Sequence, residues 1–436
     1  MTVRTIIRFA ALVCTCVVAA IAISACGSSD DGDTAATTDS PSTLESTQAA
    51  NEEFSGEPIV IGTMSSLDSP IGSFPESYAG VKAAALAINE AGGIDGHELK
   101  VVTCNGKFEP NQEAACARKM VDEGVIAVAG AFPIANVDGF FAPLEKANIA
   151  NVAFFGDFGP AYQYENGFPI DFMVGAHYGC LDGELAKTAT GGDEARVMIG
   201  NSAPEQAAIP SYERAAANLG TEAQFITVPN TATDLSPVVA QAEQKGDGIV
   251  AMNVPPTQQV AILTAEAQAG HEWAQCLFDV ISPDQRKELG SVLSNAFISG
   301  TFPPLGEASK YPLLGEFEAQ LQALADSGNQ EAEESGDSGV PAWALRAWLG
   351  VQVIDQVAES IKGPITRDSF MAAIEKAKVD LGGVVPTLDF AKPIHVSDEY
   401  PRVFNPTVVI NKWDAESQEV VAAPELAPID MAEALR

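Results

Sequence analysis

Residues 57–63 read EPIVIGT, residues 75–93 PESYAGVKAAALAINEAGG, residues 98–104 ELKVVTC and residues 125–130 VIAVAG. The succession of these four pieces decides the fold. EPIVIGT is a short β-rich run. In the second piece Tyr78, Val81, Ala85 and Ile88 recur at helical spacing. Gly92-Gly93 ends that helix, because glycine accepts the left-handed backbone of a helix stop. ELKVVTC is a second strand, and Pro110 suits the first turn of a helix running to about Glu123. VIAVAG is continuously apolar, as expected of a strand covered on both faces.

The alternation continues outward from there. A helix is expected near 136–147, a strand at Asn151–Phe155, and further strands at 195–200, 223–228, 247–252 and 275–279. Pro204–Leu219 and Leu235–Lys245 are intervening helices. Strands alternating with helices imply parallel sheets with helices on both faces. This much of the pattern exceeds one open sheet, so the expected fold is α/β with two lobes. The polar tract Asp326–Gly339 reads as a solvated loop between two helices.

The chain has 436 residues, with 24 Lys plus Arg against 59 Asp plus Glu and a formal net charge of −35. A surface this acidic repels phosphate backbones, so no nucleic-acid partner is expected. Met1–Arg8 carries Arg4 and Arg8 and no acid, and Phe9–Ile23 is almost wholly apolar. That core is short for a membrane span and right for a signal peptide. Ile23-Ser24-Ala25-Cys26 resembles a bacterial lipobox, which implies cleavage after residue 25 and acylation of Cys26. Residues 27–55 hold seven acids, no base, and only Leu44 and Phe54 as large apolar side chains. Such a segment cannot bury enough surface to fold and reads as a tether.

The segment from Pro58 to Glu123, with its turn Asn89-Glu90-Ala91-Gly92-Gly93-Ile94, resembles the opening of type I solute-binding proteins of ABC importers, in the branched-chain amino acid branch. A weaker likeness runs through residues 196–201, 265–279 and 294–300. The resemblance implies two Rossmann-like lobes joined by three crossover strands, near Asp171–Gly175, Gly300–Pro303 and Pro401–Pro406. It implies residues 57–173 plus 303–400 as lobe 1, residues 174–302 plus 401–425 as lobe 2, and residues 426–436 as a C-terminal tail. The expected function is capture of a small apolar or amino-acid-like solute between the lobes for delivery to permease and ATPase subunits. The protein is expected to act as a monomer without cofactor, lipid-anchored at the extracytoplasmic face of the cell membrane. A ligand-sensing receptor subunit of the same fold and a surface hydrolase are the alternative readings, since fold does not fix function.

In open α/β sheets ligands meet the carboxyl ends of the strands. The corresponding loops are 63–74, 130–136, 153–162, 200–209, 252–257 and 279–284, and none contains Lys, Arg or His. Phe132, Phe154, Phe155 and Phe158 crowd two of them. The candidate ligand contacts are Ser66, Phe132, Asn136, Phe155, Asp157, Gln206, Asn253 and Asp279. Amino acid binders of the resembled family carry a Ser/Thr-rich stretch after the third strand, whose hydroxyls hold the ligand carboxylate. Here residues 131–136 read AFPIAN, the next loop reads Phe155-Gly156-Asp157-Phe158, and a tyrosine expected in lobe 2 is replaced by Gln206. Asp279 matches the acid that pairs the ligand amine. These departures favour a bulkier, more apolar ligand, neutral or cationic, with any carboxylate left to backbone N–H groups.

After signal removal and lipidation, Cys104, Cys116, Cys180 and Cys276 remain, an even number for an oxidising compartment. The expected bridges are Cys104–Cys116, from a strand end to the next helix, and Cys180–Cys276. No metal-ligand spacing, nucleophile elbow, HExxH or phosphate loop occurs, and no enzyme is expected. His97, His177, His271 and His395 are scattered and read as surface or satisfied histidines. Trp343 and Trp348 suit the core face of a helix over Pro341–Ile361.

Overall fold

A computed structural model describes residues 54–69, 72–156, 159–278, 281–337 and 341–436. The expected signal peptide, Cys26 and nearly all of the tether lie outside these residues, as do Asp157, Phe158 and Asp279.

The first sheet contains β1 (Ile59–Ser65), β2 (Leu99–Asn105), β3 (Ala127–Ala129), β4 (Ala150–Val152) and β5 (Gly167–Phe168). Its order is β2-β1-β3-β4-β5, and every pairing is parallel. The second sheet begins with β6 (Glu194–Gly200), β7 (Glu222–Val228), β8 (Ile249–Asn253), β9 (Gln275–Leu277) and β10 (Ala296–Gly300). A small ladder of β11 (Lys378–Val379) and β12 (Leu388–Asp389) lies apart. The chain then adds β13 (Thr407–Asp414), β14 (Glu419–Ala422) and β15 (Ile429–Asp430) to the second sheet. The order there is β14-β13-β10-β9-β8-β6-β7, with β15 on β13. The pairs from β7 to β10 are parallel, and those made by β13 are antiparallel.

Helices from the return segment complete the first lobe. Pro341–Glu359 packs along Glu76–Glu90. The two backbones approach so closely that a Cβ on Gly80 would lie 2.1 Å from the Ala344 carbonyl oxygen. Trp348 is buried there and donates Nε1–H to Gln320 Oε1 at 2.7 Å. At the end of Glu76–Glu90, Gly93 has φ +75°, and a Cβ would strike the His97 carbonyl, so the stop requires glycine.

Four local expectations change. The tract Asp326–Gly339 is not a plain loop, because Gln330–Asp337 is helical. Its Glu331 meets the buried Lys82 ammonium at 3.1 Å, and Ala332 is buried. A buried ammonium needs such a partner, which is what docks this acidic turn. The helix expected over Pro204–Leu219 is two, Ala203–Ala207 and Ile209–Leu219, with Pro210 in the first turn of the second. Strand Asn151–Phe155 is shorter, because Ala153 turns the chain at φ +52°. Residues 426–436 are not a free tail. β15 pairs with β13, Met431–Ala434 is helical, and Met431 and Leu435 are buried.

Disulfides join Cys104 to Cys116 and Cys180 to Cys276, each with Cα atoms 5.5 Å apart.

Candidate functional site

Each sheet reverses its strand order beside its first strand, at β1/β3 and at β6/β8. The loops leaving the carboxyl ends at these switch points face one cleft, a cavity of about 1660 Å³.

The first-lobe wall is aromatic. Phe74, Phe108 and Phe132 leave the ends of β1, β2 and β3, and Trp343 enters from the first turn of Pro341–Glu359. Phe74 stacks on Trp343 with centroids 5.4 Å apart. Phe132 meets Phe74 at 5.7 Å, Phe108 at 5.2 Å and Trp343 at 5.5 Å, all edge to face. Phe155 lies behind, 4.7 Å from Phe132. Phe154 instead packs on Phe141 and Tyr162 in the lobe core. Trp348 therefore has the expected core position and Trp343 does not.

The floor is built from the crossovers. Asp171 and Thr301 lie on the first two, and Arg346 reaches them from Pro341–Glu359. Arg346 donates to Asp171 Oδ2 from Nε at 3.0 Å and from Nη2 at 2.7 Å, and Thr301 donates to the same oxygen at 2.5 Å. The guanidinium is 4.4 Å above the Phe155 ring. A buried cation is tolerated here because a carboxylate and an aromatic face receive it.

The loop after β3 offers less to a ligand than its sequence implies. Glu113, fully buried on the helix Pro110–Asp122, accepts from the backbone N–H groups of Ile134 and Ala135 at 3.1 Å and of Asn136 at 2.6 Å. Burial pushes its carboxyl above the usual range, and the three N–H donors partly offset this. The N–H groups expected to receive a ligand carboxylate are thus occupied by the protein itself.

The other candidates divide. Phe132, Asn136 and Asn253 line the cavity. The Asn136 side chain caps Val137–Lys146 by accepting from Gly139 N–H, and it donates to the Pro110 carbonyl. Asn253 lies beside the Tyr212 hydroxyl. Ser66 and Gln206 are not in the wall. Ser66 Oγ accepts from Phe108 N–H at 2.8 Å, and Gln206 donates to the Gly200 carbonyl at 2.6 Å. Both side chains are spent on holding their loops.

Sequence reasoning located the loops and missed what the helices bring. Trp343, Arg346, Arg286 and His177 all line the cavity, so the cleft is not free of bases although its loops are. His177 stands on Met173–Gly179, its ring centroid 4.0 Å from that of Phe278. Arg286 lies over Trp413 at 5.2 Å. Carboxylates in the wall are Asp138, Glu205, Glu318, Glu399 and Glu419. Glu205 accepts from Ser202 N–H and Asn230 Nδ2, and Asp138 accepts from the Tyr164 hydroxyl. Burial pushes the Tyr178 hydroxyl up to about 12, so it stays protonated. No group of three metal-ligating side chains occurs among the described residues. Nor is any helix there long and apolar enough to cross a membrane.

Two facing α/β sheets with an aromatic-walled cleft at their switch points define a binding protein of the type I periplasmic class. The sequence profile of the family described as periplasmic binding protein matches residues 58–399, and the chain belongs to that family. An amino acid binding protein of Pseudomonas aeruginosa is 41% identical over 76 residues, which are 17% of this chain and 20% of that protein. The chain thus matches about a fifth of that relative's length. A fatty acid ABC transporter substrate-binding protein from Thermomonospora curvata superposes with a TM-score of 0.67 at 15% identity, covering 86% of this chain and 94% of that one. An extracellular ligand-binding receptor from Verminephrobacter eiseniae gives 0.66 at 16% identity, covering 83% and 99%. At these identities the likeness is one of fold.

Proposed function

We propose that the protein is a lipid-anchored solute-binding protein that captures an apolar solute, bulkier than a free amino acid, between its two lobes. It passes that solute to the permease and ATPase subunits of an ABC importer. Cys26 carries the lipid, residues 26–56 are the tether, and a monomer works at the extracytoplasmic face of the cell membrane. Phe132 and Asn253 touch the solute, Phe155 backs the aromatic wall, and Asp157 and Asp279 remain candidate contacts.

The observation that carries the reading is the wall of Phe74, Phe108, Phe132 and Trp343 in a cleft whose nearest N–H cluster is filled by Glu113. Small-molecule sites are mostly apolar with a few placed polar groups. A free α-amino acid would need a place for its carboxylate that this loop no longer offers. Native mass spectrometry of protein purified from the cell envelope tests the reading. An apolar solute released from the folded chain is expected, and a bound free amino acid would overturn it. Fractionation tests the anchor: Cys26→Ser should release the protein from the membrane or block its processing. Unchanged membrane retention with normal processing would remove the anchor from the proposal.

A further inference from the structure

Neither ring nitrogen of His177 has a hydrogen-bond partner among the described residues, and Nδ1 is sealed from water. Nε2 is not among the sealed atoms, and the residue, half-buried, lines the cleft. Burial is the one influence on its titration and lowers its pKa to about 4, so the ring is neutral near pH 7. A neutral imidazole carries one proton, on Nδ1 or on Nε2. An N–H sealed without an acceptor is costlier than an unused lone pair. The proton therefore belongs on Nε2, pointing into the cleft.

That makes His177 an uncharged donor in a wall whose charged groups are mostly negative. Arg346 is held by Asp171, and the loop after β3 is closed by Glu113. Among the described residues the lining has five carboxylates against two arginines. A carboxylate on the solute would face this surplus of negative charge, since Asp171 already neutralises the Arg346 guanidinium. A cationic group has no lone pair to accept the His177 proton. The partner left is an uncharged oxygen.

We propose that His177 Nε2–H is the second-lobe anchor of the solute and donates to a neutral acceptor oxygen, an amide or ketone carbonyl, on a molecule whose apolar face lies on Phe132 and Trp343. This inference rests on the cleft being the solute site.

Benzamide, benzoate and benzylamine share one ring and differ in the group offered to His177. Their affinities are to be titrated by the emission of Trp343, which reports occupancy of the cleft whatever the head group. Benzamide should bind at least about tenfold more tightly than the other two. His177→Phe keeps a ring against Phe278 and removes the donor, and it should weaken benzamide by about tenfold. His177→Gln keeps a donor at similar reach and should stay within about threefold of the parent. Nitrogen NMR at pH 7 should find His177 neutral with its proton on Nε2. An imidazolium at pH 7, benzamide binding unchanged in His177→Phe, or benzoate or benzylamine binding best would overturn the assignment and leave the cleft as the solute site. No response of Trp343 to any of the three at saturating concentration would overturn both.

Discussion

Glu113 decides what the first lobe can offer a solute, and it does so without touching the cavity. Its carboxylate receives three backbone N–H groups at the start of Val137–Lys146, where the helix dipole also favours an anion. Removing the carboxylate leaves three part-buried donors without their acceptor, each at a desolvation cost. Glu113→Ala should therefore lower stability by about 3 kcal/mol. A urea midpoint unchanged from the parent would show that water replaces the carboxylate. Glu113→Gln should fall between, because an amide oxygen cannot accept from all three donors. At this scale the sequence disclosed the residues on loops after strands, such as Phe132 and Asn253, because sheet topology places those loops at the cleft. It could not disclose Trp343, Arg346 or His177. Each sits on a helix that a crossover carries to the cleft, and nothing local separates such a side chain from a core one. Glu113 was hidden for a similar reason, being one acid on an ordinary amphipathic helix.

Between elements of the second lobe one coupling is buried and polar. Glu266, on Pro256–Ala269, accepts from Gln275 of β9 at 2.7 Å and from Trp273 N–H, while Arg196 of β6 stacks on the Trp273 ring at 4.3 Å. Burial raises the Glu266 pKa from the usual 4.5 to about 7, against the pull of Gln275, Trp273 and Arg196. Between those two values the folded chain holds a proton that the unfolded chain has released. The stabilisation is full below about 4.5, declines as pH rises, and is gone above about 7. The swing is on the order of 2–3 kcal/mol. Compared with Glu266→Gln, the parent should show this decline in urea denaturation from pH 5 to pH 8. Both chains also carry the opposite rise from His177 up to about pH 6.5 and the smaller decline from Asp355, which burial and the charge of Glu359 raise to about 6. A profile as steep in the variant would assign the slope elsewhere. The two disulfides act at the same scale. Cys180–Cys276 spans 96 residues and Cys104–Cys116 spans 12. Chain entropy gives roughly 4.5 kcal/mol for the first and roughly 3 for the second. Replacing Cys180 and Cys276 together by Ala should cost more than replacing the other pair, and the reverse order of urea midpoints would contradict the entropic account. The alternation of strands and helices was legible because buried parallel strands leave uninterrupted apolar runs. The helix Gln330–Asp337 was not, since its stability comes from Lys82, 249 positions away.

For the whole molecule the cleft volume is the informative quantity. Pockets that enclose small molecules measure roughly 300–1,000 Å³, and this one measures about 1660 Å³. The conformation described here is therefore open, with more room than one small solute fills. The crossovers that join the lobes are braced to one another. Thr301 donates to Asp171, Asn405 Nδ2 to the Ile170 carbonyl at 3.3 Å, and Asn411 Nδ2 to the Phe302 carbonyl at 3.4 Å. A braced floor under two walls lets Trp343 on one lobe and Phe278 on the other approach while the floor stays fixed. That is the geometry of hinge closure. A solute touching both walls binds the closed arrangement better and shifts the population towards it by that difference in affinity. Small-angle scattering should therefore give a smaller radius of gyration at saturating solute. The change should follow the same concentration dependence as the Trp343 emission, because wall contact and closure are one event. Asp171→Asn, which weakens the brace at its centre, should blur this correspondence before it abolishes binding. An identical scattering profile with and without solute, alongside a full Trp343 response, would mean that the lobes receive the solute as a rigid body, and the hinge would have to be abandoned.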